Sequence, residues 1–326
     1  MTESRADRDV FDEIRDACRS VAANARSVRV EEERISAYAR SLERNTVQPP
    51  DPDVKRHYVG DQETTTAYFV TLDAVNFGSG YFPHLRKKPG MSGYYTIAST
   101  LADRFRREGP LRATELVAIT AADCAALFGQ QDAEGPICEL MALYARSWND
   151  LGSDLVERFE GWFTCLITAA GNSAARLVEL LRGQPMFRDQ TVYRGAVVPF
   201  YKRAQILVSD LALALDGLGL GRFDDLRRLT IFADNLVPHV LRLDGVLTYD
   251  RNLLDRIERG DLLAAGSEEE IEIRACAVHA VELVAENLRR AGAPITSREL
   301  DILLWTRGQL PEYKAQPRHR TRTPFY

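Results

Sequence analysis

A chain of 326 residues, 45% hydrophobic and 27% charged, has ordinary globular composition and the length for one large domain or two small ones. Its net charge of −5 argues against a broad nucleic-acid footprint, which needs a basic face. No run of about 18 apolar residues suggests a membrane span, and the polar start Met1–Asp9 does not read as a signal peptide. No Gly/Ser- or Pro-rich linker divides the chain, so a single domain over 1–326 is expected. Cys18, Cys124, Cys138, Cys165 and Cys276 are scattered, with neither metal-ligand spacing nor a disulfide framework, which fits a reducing, cytoplasmic compartment.

Val10, Ile14, Ala17, Cys18 and Val21 recur at helical spacing and predict an N-terminal amphipathic helix. Glu31–Leu42 reads as a second, with Glu31, Glu32 and Glu33 in the first turn, where the helix dipole favours anions. Residues 47–53, with three prolines, are expected to be extended. The β-branched and aromatic run Tyr68–Leu72 reads as a short strand or a buried segment. It leads into Asp73 and Asn76, two polar residues among apolar neighbours. Buried polar groups must be hydrogen-bonded, so these two either tie down local backbone or face a ligand. Gly78, Gly80, Pro83, Pro89, Gly90 and Gly93 mark a loop. Helices are predicted at Tyr94–Arg107 and Leu111–Ala118, after a capping-box start at Thr120–Asp123, and at Pro136–Asn149, Leu155–Ala170 and Ser173–Leu181. Gln190–Pro199 is expected to be irregular or extended.

Three chemical features fall between Tyr201 and Arg242. Ile206, Leu207, Leu211, Leu213 and Leu215 predict a helix over Tyr201–Asp216, stopped by the glycines between Gly217 and Gly221. A short helix is expected at Arg222–Leu229, and another after Asn235 through Leu241. Lys202 and Arg203 stand at the start of the first helix, where the dipole disfavours cations; the plain reading of Lys202 is a solvated surface lysine. Asp210 lies two turns further on, among aliphatic residues. Asp234 stands between Phe232 and Leu236, directly before a helical pattern. There it can cap the helix by accepting backbone N–H bonds, and a carboxylate so held beside an aromatic is also a poised anion.

Asp244-Gly245 predicts a turn and Asn252–Arg259 a short helix. Ser267–Glu270 is a capping box opening a long helix to Leu288. Its crowded first turn, with Glu268, Glu269, Glu270 and Glu272, suits the dipole, and Glu270 stands i,i+4 to Arg274. Thr296–Glu299 is a further capping box, opening a helix to Arg307. The tail carries Arg318, His319, Arg320 and Arg322, and its Pro-Phe-Tyr end suggests packing rather than a solvated arm. No GxGxxG, P-loop, HExxH or GxSxG pattern occurs. The histidines His57, His84, His239, His279 and His319 lack paired spacing, so no metal is expected.

Seven stretches, in order, resemble one family: LDAVNF (72–77), SGYYTIA (92–98), YKRAQILVSDL (201–211), FADNLVPHVLRLDGVLTY (232–249), GSEEEIEIRACAVHAVELV (266–284), LDILLW (300–305) and HRTRTPFY (319–326). The chain resembles the queuosine salvage proteins, the queuosine 5′-phosphate N-glycosylase/hydrolase family, from residue 10 to the end. One departure is 235–239, where a bulkier pair at 235–236 and Gln at 239 would be expected. The resemblance implies a mainly α, all-helical fold similar to the helix-hairpin-helix DNA glycosylases, with at most a few short strands. It implies cleavage of the N-glycosidic bond of queuosine 5′-monophosphate, without a cofactor, releasing queuine for reuse in tRNA modification. The catalytic pair carries over to Lys202 and Asp234.

That chemistry passes through an oxocarbenium-like state, positive at C1′, which a carboxylate can stabilise while orienting the attacking water. The base is a 7-deazaguanine without N7, so its departure must be helped from the six-membered ring. Lys202 is a donor either there or to the phosphate. Asp73, Asn76, Glu270 and Glu272 are candidates for the base edge and its cationic aminomethyl arm, and Arg274 and His239 are further candidates for substrate binding. Phe77 and Phe232 are candidates for stacking, and Arg318 and His319 for the phosphate. Two rivals stand: a non-catalytic helical module binding a nucleotide or a protein partner, and a DNA or RNA glycosylase. Net acidity disfavours nucleic acid, and Gly217–Gly221 lacks an adjacent lysine that would make it a backbone-phosphate anchor.

Overall fold

The computed structural model describes residues 8–43 and 53–326; of the run expected to be extended, 47–52 lies outside the described residues. The chain is mainly α-helical. In order come α1 (Val10–Asn24), β1 (Val28–Val30), α2 (Glu32–Glu43), α3 (Gln62–Asp73), α4 (Gly93–Glu108), α5 (Ala113–Ala118), α6 (Ala121–Leu127), α7 (Pro136–Arg158), α8 (Phe163–Thr168) and α9 (Ala174–Leu181). Then follow β2 (Gln190–Tyr193), β3 (Ala196–Pro199), α10 (Lys202–Ala214), α11 (Val237–Leu243), β4 (Leu247–Tyr249), α12 (Arg251–Arg259), α13 (Glu268–Arg290), α14 (Ser297–Arg307) and α15 (Pro311–Lys314). Helix starts follow the local caps. Asp9 opens α1, Thr120 and Asp123 cap α6 reciprocally, Ser267 opens α13, and Thr296 and Glu299 form the box of α14. Each such cap is worth about 1 kcal/mol.

The residues cluster into two compact units, each gathered from separated segments. The first takes the described residues of Met1–Pro50 with Gln190–Lys202 and Arg227–Arg322. Its spine is α13, buried along nearly its whole length from Glu270 to Leu288 and packed against α1 and α2. Two small antiparallel sheets complete it: β1 with β4 (Val28↔Tyr249 to Val30↔Leu247) and the β2–β3 hairpin (Gln190↔Pro199 to Tyr193↔Ala196). The hairpin turns through Arg194 and Gly195, both at positive φ (47° and 86°), the mirror-image turn that suits strand twist. Gln190–Pro199 is therefore a hairpin where the sequence left irregular or extended open.

The second unit takes Asp51–Asp189, from Asp53 as described, with Arg203–Leu226 and Thr323–Tyr326. Its long helix α7 packs against α5 and α6. At Gly152 a Cβ would meet Ala113 O and Val117 N at 2.7 Å, so only glycine lets α7 and α5 approach so closely. Tyr68–Leu72, which permitted a strand, lies inside α3. Thr65 through Asp73 are all buried, so no polar face gives the segment a readable period. The helix expected over Leu155–Ala170 is two: α7 runs to Arg158, Glu160 and Gly161 take positive φ (55° and 77°), and α8 restarts at Phe163. In place of the helix expected at Arg222–Leu229 there is a single 3-10 turn at Leu226–Arg228. Asp225 is committed elsewhere: its carboxylate accepts the Ala174 and Ala175 N–H groups and the Ser173 hydroxyl, capping α9.

Candidate active site

In the first unit the candidates gather on a segment without regular structure, Thr230–Leu236, just before α11. Two side chains and one backbone carbonyl from elsewhere in the chain hold it. Phe232 N–H donates to Asp301 Oδ1 on α14 (2.8 Å). The Ala233 carbonyl accepts from Arg274 Nε on α13 (2.9 Å). Asn235 Nδ2 donates to the His319 carbonyl in the tail (3.2 Å). Asp234 closes the segment on itself: its Oδ1 accepts the N–H groups of Leu236 (2.7 Å) and Val237 (3.2 Å). Leu236 holds the N-cap position of α11, so Asp234 serves the helix start from two residues upstream, as an Asx-type turn. The expected capping role is real, and it engages Oδ1. Asp234 is half-buried between the buried residues Phe232, Ala233 and Asn235.

Two further charged residues, Lys202 and Asp301, are buried at this segment. Lys202 is 5% exposed, not a solvated lysine, and follows Tyr201, whose φ is +47°. Asp301 is buried too, and its pKa is pushed up to about 8, first by burial and then by the charge of Asp234. The Phe232 N–H, Lys202 and Arg298 oppose that rise. Asp301 therefore keeps its proton at neutral pH, with Asp234 and Lys202 as its charged neighbours. Arg318 is exposed, yet the protein around it lowers its pKa, with Asp234 acting in the opposite sense.

The other candidates divide by what already occupies them. His319 is buried and its pKa is pushed down to about 3, by burial and then by Arg318, Arg274, His239 and Arg242, so its ring is neutral. His239 is pushed down to about 4, mainly by burial. Its Nε2 lies 2.9 Å from the Tyr313 carbonyl and its Nδ1 3.3 Å from Arg242 Nη2. A carbonyl only accepts, so Nε2 carries the hydrogen and Nδ1 accepts from Arg242; both ring nitrogens are taken by protein. Glu270 Oε2 accepts Gly266 N–H (3.1 Å), and Oε1 lies 3.6 Å from Arg274 Nη1, the i,i+4 pair anticipated from sequence. Arg274 also lays its guanidinium over the Phe200 ring (3.9 Å). Glu272 is a backbone clamp. Its Oε2 accepts the N–H groups of Arg26, Ser27 and Val28 (3.0, 2.7 and 3.2 Å), and Oε1 accepts the Tyr193 hydroxyl (2.8 Å).

Asp73, Asn76 and Phe77 belong to the second unit. Asn76 Nδ2 donates to Asp73 Oδ1 (3.0 Å), and Arg203, pushed down to about 9 by burial, donates to the Asp73 and Ala74 carbonyls. Arg203 also sits over the Phe77 ring at 4.8 Å, while Tyr144 meets that ring edge-on at 5.0 Å. Phe77 is thus enclosed by its own unit, and Arg203, paired with Lys202 in the sequence, is a core cation.

Asp301, within LDILLW, is a further acid that the fold brings to this segment. The signal was there: Ser297, Leu300, Asp301 and Leu304 form the buried stripe of α14, and an acid on an apolar stripe asks for a partner. Among the described residues no group of three or more His, Cys, Asp or Glu side chains is arranged to hold a metal ion. No helix among them is long and apolar enough to cross a membrane.

The sequence of residues 56–326 matches the family described as queuosine salvage protein. The queuosine 5′-phosphate N-glycosylase/hydrolase of Sphaerobacter thermophilus is 40% identical over 94% of this chain and 96% of its own. Proteins of the same name are 34% identical in Dictyostelium discoideum, over 85% of this chain and 83% of the relative, and 32% identical in Mus musculus, over 72% of each.

Proposed function

The chain belongs to the queuosine salvage protein family, and from that premise we propose that it hydrolyses the N-glycosidic bond of queuosine 5′-monophosphate, releasing queuine. The observation that carries the proposal is the clamped segment around Asp234, with the buried Asp301 accepting its Phe232 N–H and the buried Lys202 close enough to act on Asp301. Water attacks C1′ as the C1′–N bond breaks, and the bonding pair leaves with the base. Water supplies the hydroxyl that stays on C1′ and the proton that ends on the base nitrogen. The products are queuine and ribose 5-phosphate.

Asp234 faces the positive charge that grows at C1′. Its Oδ1 is held by two amides, leaving Oδ2 to meet the sugar or the water. One such preorganised group is worth about 2.7–4 kcal/mol, against a typical enzymatic total of ~8–23 kcal/mol. Most of the rest must come from orientation, which can supply about 7–11 kcal/mol when the geometry is fixed. That is why the three anchors on residues 232–235 matter as much as the carboxylate. Lys202, withdrawn from bulk water, supplies a strong donor to the departing base or the phosphate. Arg318, exposed next to Asp234, suits a phosphate dianion. Asp234 and Lys202 are the catalytic pair of this proposal, and nucleic acid is not a partner. The five cysteines are all free thiols, in keeping with a cytoplasmic setting. Neither unit is a continuous segment, which supports treating 1–326 as one functional domain.

The test is to incubate the purified protein with queuosine 5′-monophosphate and follow queuine by mass spectrometry. Failure of the folded protein to release it would reject the proposal.

A further inference from the structure

Lys202 and Asp234 come from distant parts of the sequence, and a catalytic pair works only at a fixed spacing. One side chain, Arg274, touches the flank of both. It is buried on α13, the spine of its unit, and its Nε donates to the carbonyl of Ala233, the residue before Asp234 (2.9 Å). Its guanidinium carbon lies 3.9 Å from the centre of the Phe200 ring, two residues before Lys202. Glu270, one turn earlier on α13 and also buried, answers the charge: its Oε1 lies 3.6 Å from Arg274 Nη1, and its Oε2 accepts the Gly266 N–H. Between Phe200 and Lys202 stands Tyr201, whose φ of +47° is a left-handed conformation that a tyrosine keeps only where its surroundings fix it. Phe200, 1% exposed under the guanidinium, is part of those surroundings.

We propose that Arg274 is a positioning residue for the hydrolysis, setting the spacing of Lys202 and Asp234 by holding the Phe200 ring on its face and the Ala233 carbonyl at its edge. The inference rests on the function proposed above. The task suits arginine and not lysine. A guanidinium is flat, so it lies on an aromatic ring while its N–H groups donate in its own plane. A lysine ammonium keeps a positive charge for Glu270 but cannot meet the ring and the carbonyl in that fixed geometry. The mount is rigid as well: α13 is buried from Glu270 to Leu288, and a site supported from a packed helix keeps its distances. Arg274 thus acts through the two catalytic residues, so its loss should fall mainly on kcat.

Two variants test this with queuosine 5′-monophosphate as substrate. Arg274→Lys keeps a cation beside Glu270. Phe200→Leu leaves the Arg274–Glu270 pair intact and removes only the ring, so it tests the contact even where Arg274→Lys does not fold. Displacing a catalytic group by about 1 Å costs on the order of 100-fold in rate, so Arg274→Lys should lose about that much in kcat with little change in KM, and Phe200→Leu a smaller part of it. Combined with Asp234→Asn, Arg274→Lys should cost far less than the product of the two separate losses, because residues that act as a unit are not additive. Wild-type kcat in folded Arg274→Lys, a change confined to KM, or fully multiplicative losses would overturn the proposal. Hydrogen exchange gives a second readout that needs no substrate. The Leu236 and Val237 amides, bonded to Asp234 Oδ1, should exchange about tenfold faster or more in Arg274→Lys than in wild type, and unchanged exchange would sink the positioning role. If wild type does not release queuine, the proposed function fails and exchange alone decides whether Arg274 holds the segment.

Discussion

Replacing Asp234 with asparagine separates the structural duty of this residue from its chemical one. The amide keeps an Oδ1 that can accept the Leu236 and Val237 N–H groups, so the turn into α11 survives. A hydrogen bond to a charged group contributes about 1.5–3 kcal/mol and a neutral one about 0.5–1.5, so two weakened bonds cost about 2–3 kcal/mol. Partial exposure of Asp234 reduces that figure further. A chain with ordinary stability stays overwhelmingly folded after such a loss, with Tm lowered by a few degrees. Catalysis should fall far more. The amide cannot carry a countercharge for C1′, and losing one preorganised electrostatic group reduces kcat about 10²–10³-fold. The assay pairs a circular-dichroism melt with single-turnover release of queuine. A folded Asp234→Asn protein with near-wild-type kcat would remove the carboxylate from the mechanism and leave it only its capping role.

Arg318→Gln should raise KM for queuosine 5′-monophosphate much more than for the nucleoside, with little change in Tm because the side chain is exposed; equal effects on the two substrates would assign the phosphate to another cation. Deleting 318–326 should instead lower Tm markedly, since Leu263 N–H donates to the Arg320 carbonyl (2.9 Å) and His319, Thr321, Thr323 and Tyr326 are buried; an unchanged melt would contradict a docked tail. His239 has its folded pKa depressed to about 4, so its contribution is present above its ordinary value of about 6.5 and lost as pH falls toward 4, on the order of 3 kcal/mol. His239→Gln should flatten that part of the acid loss of Tm, and an unchanged slope would place the titration elsewhere. Activity should survive exhaustive chelation, and loss restored by one added metal would reveal ligands not recognised among the described residues.

Helix starts were legible because a cap is local chemistry. Ser267, Thr296 and Thr120 announced α13, α14 and α6 within a residue. Periodicity failed where surroundings overrode it. From Thr65 to Asp73 α3 is buried on every side and so shows no polar face, and Arg222–Leu229 lost its helix because Asp225 serves α9. In the site, Asp234 and Lys202 stood out through the stretches that carry the family resemblance, but not their burial: Lys202 looked solvated and is 5% exposed. Glu272 and His239 looked available and are spent on Ser27, Tyr193, Tyr313 and Arg242. Such partners lie far off in the sequence, so no local pattern could name them. Asp301 is the reverse case, an acid hidden on an apolar stripe whose partner, the Phe232 N–H, is 69 residues away.

Hydrolysis at the clamped Asp234 segment is tested most directly by turnover in water enriched in heavy oxygen. Purified protein with queuosine 5′-monophosphate should yield queuine and ribose 5-phosphate in equal amounts, with one heavy oxygen on C1′ of the sugar, and Asp234→Asn should yield almost none. Intact substrate after prolonged incubation with the folded wild-type protein, or queuine without label in the sugar, would contradict it.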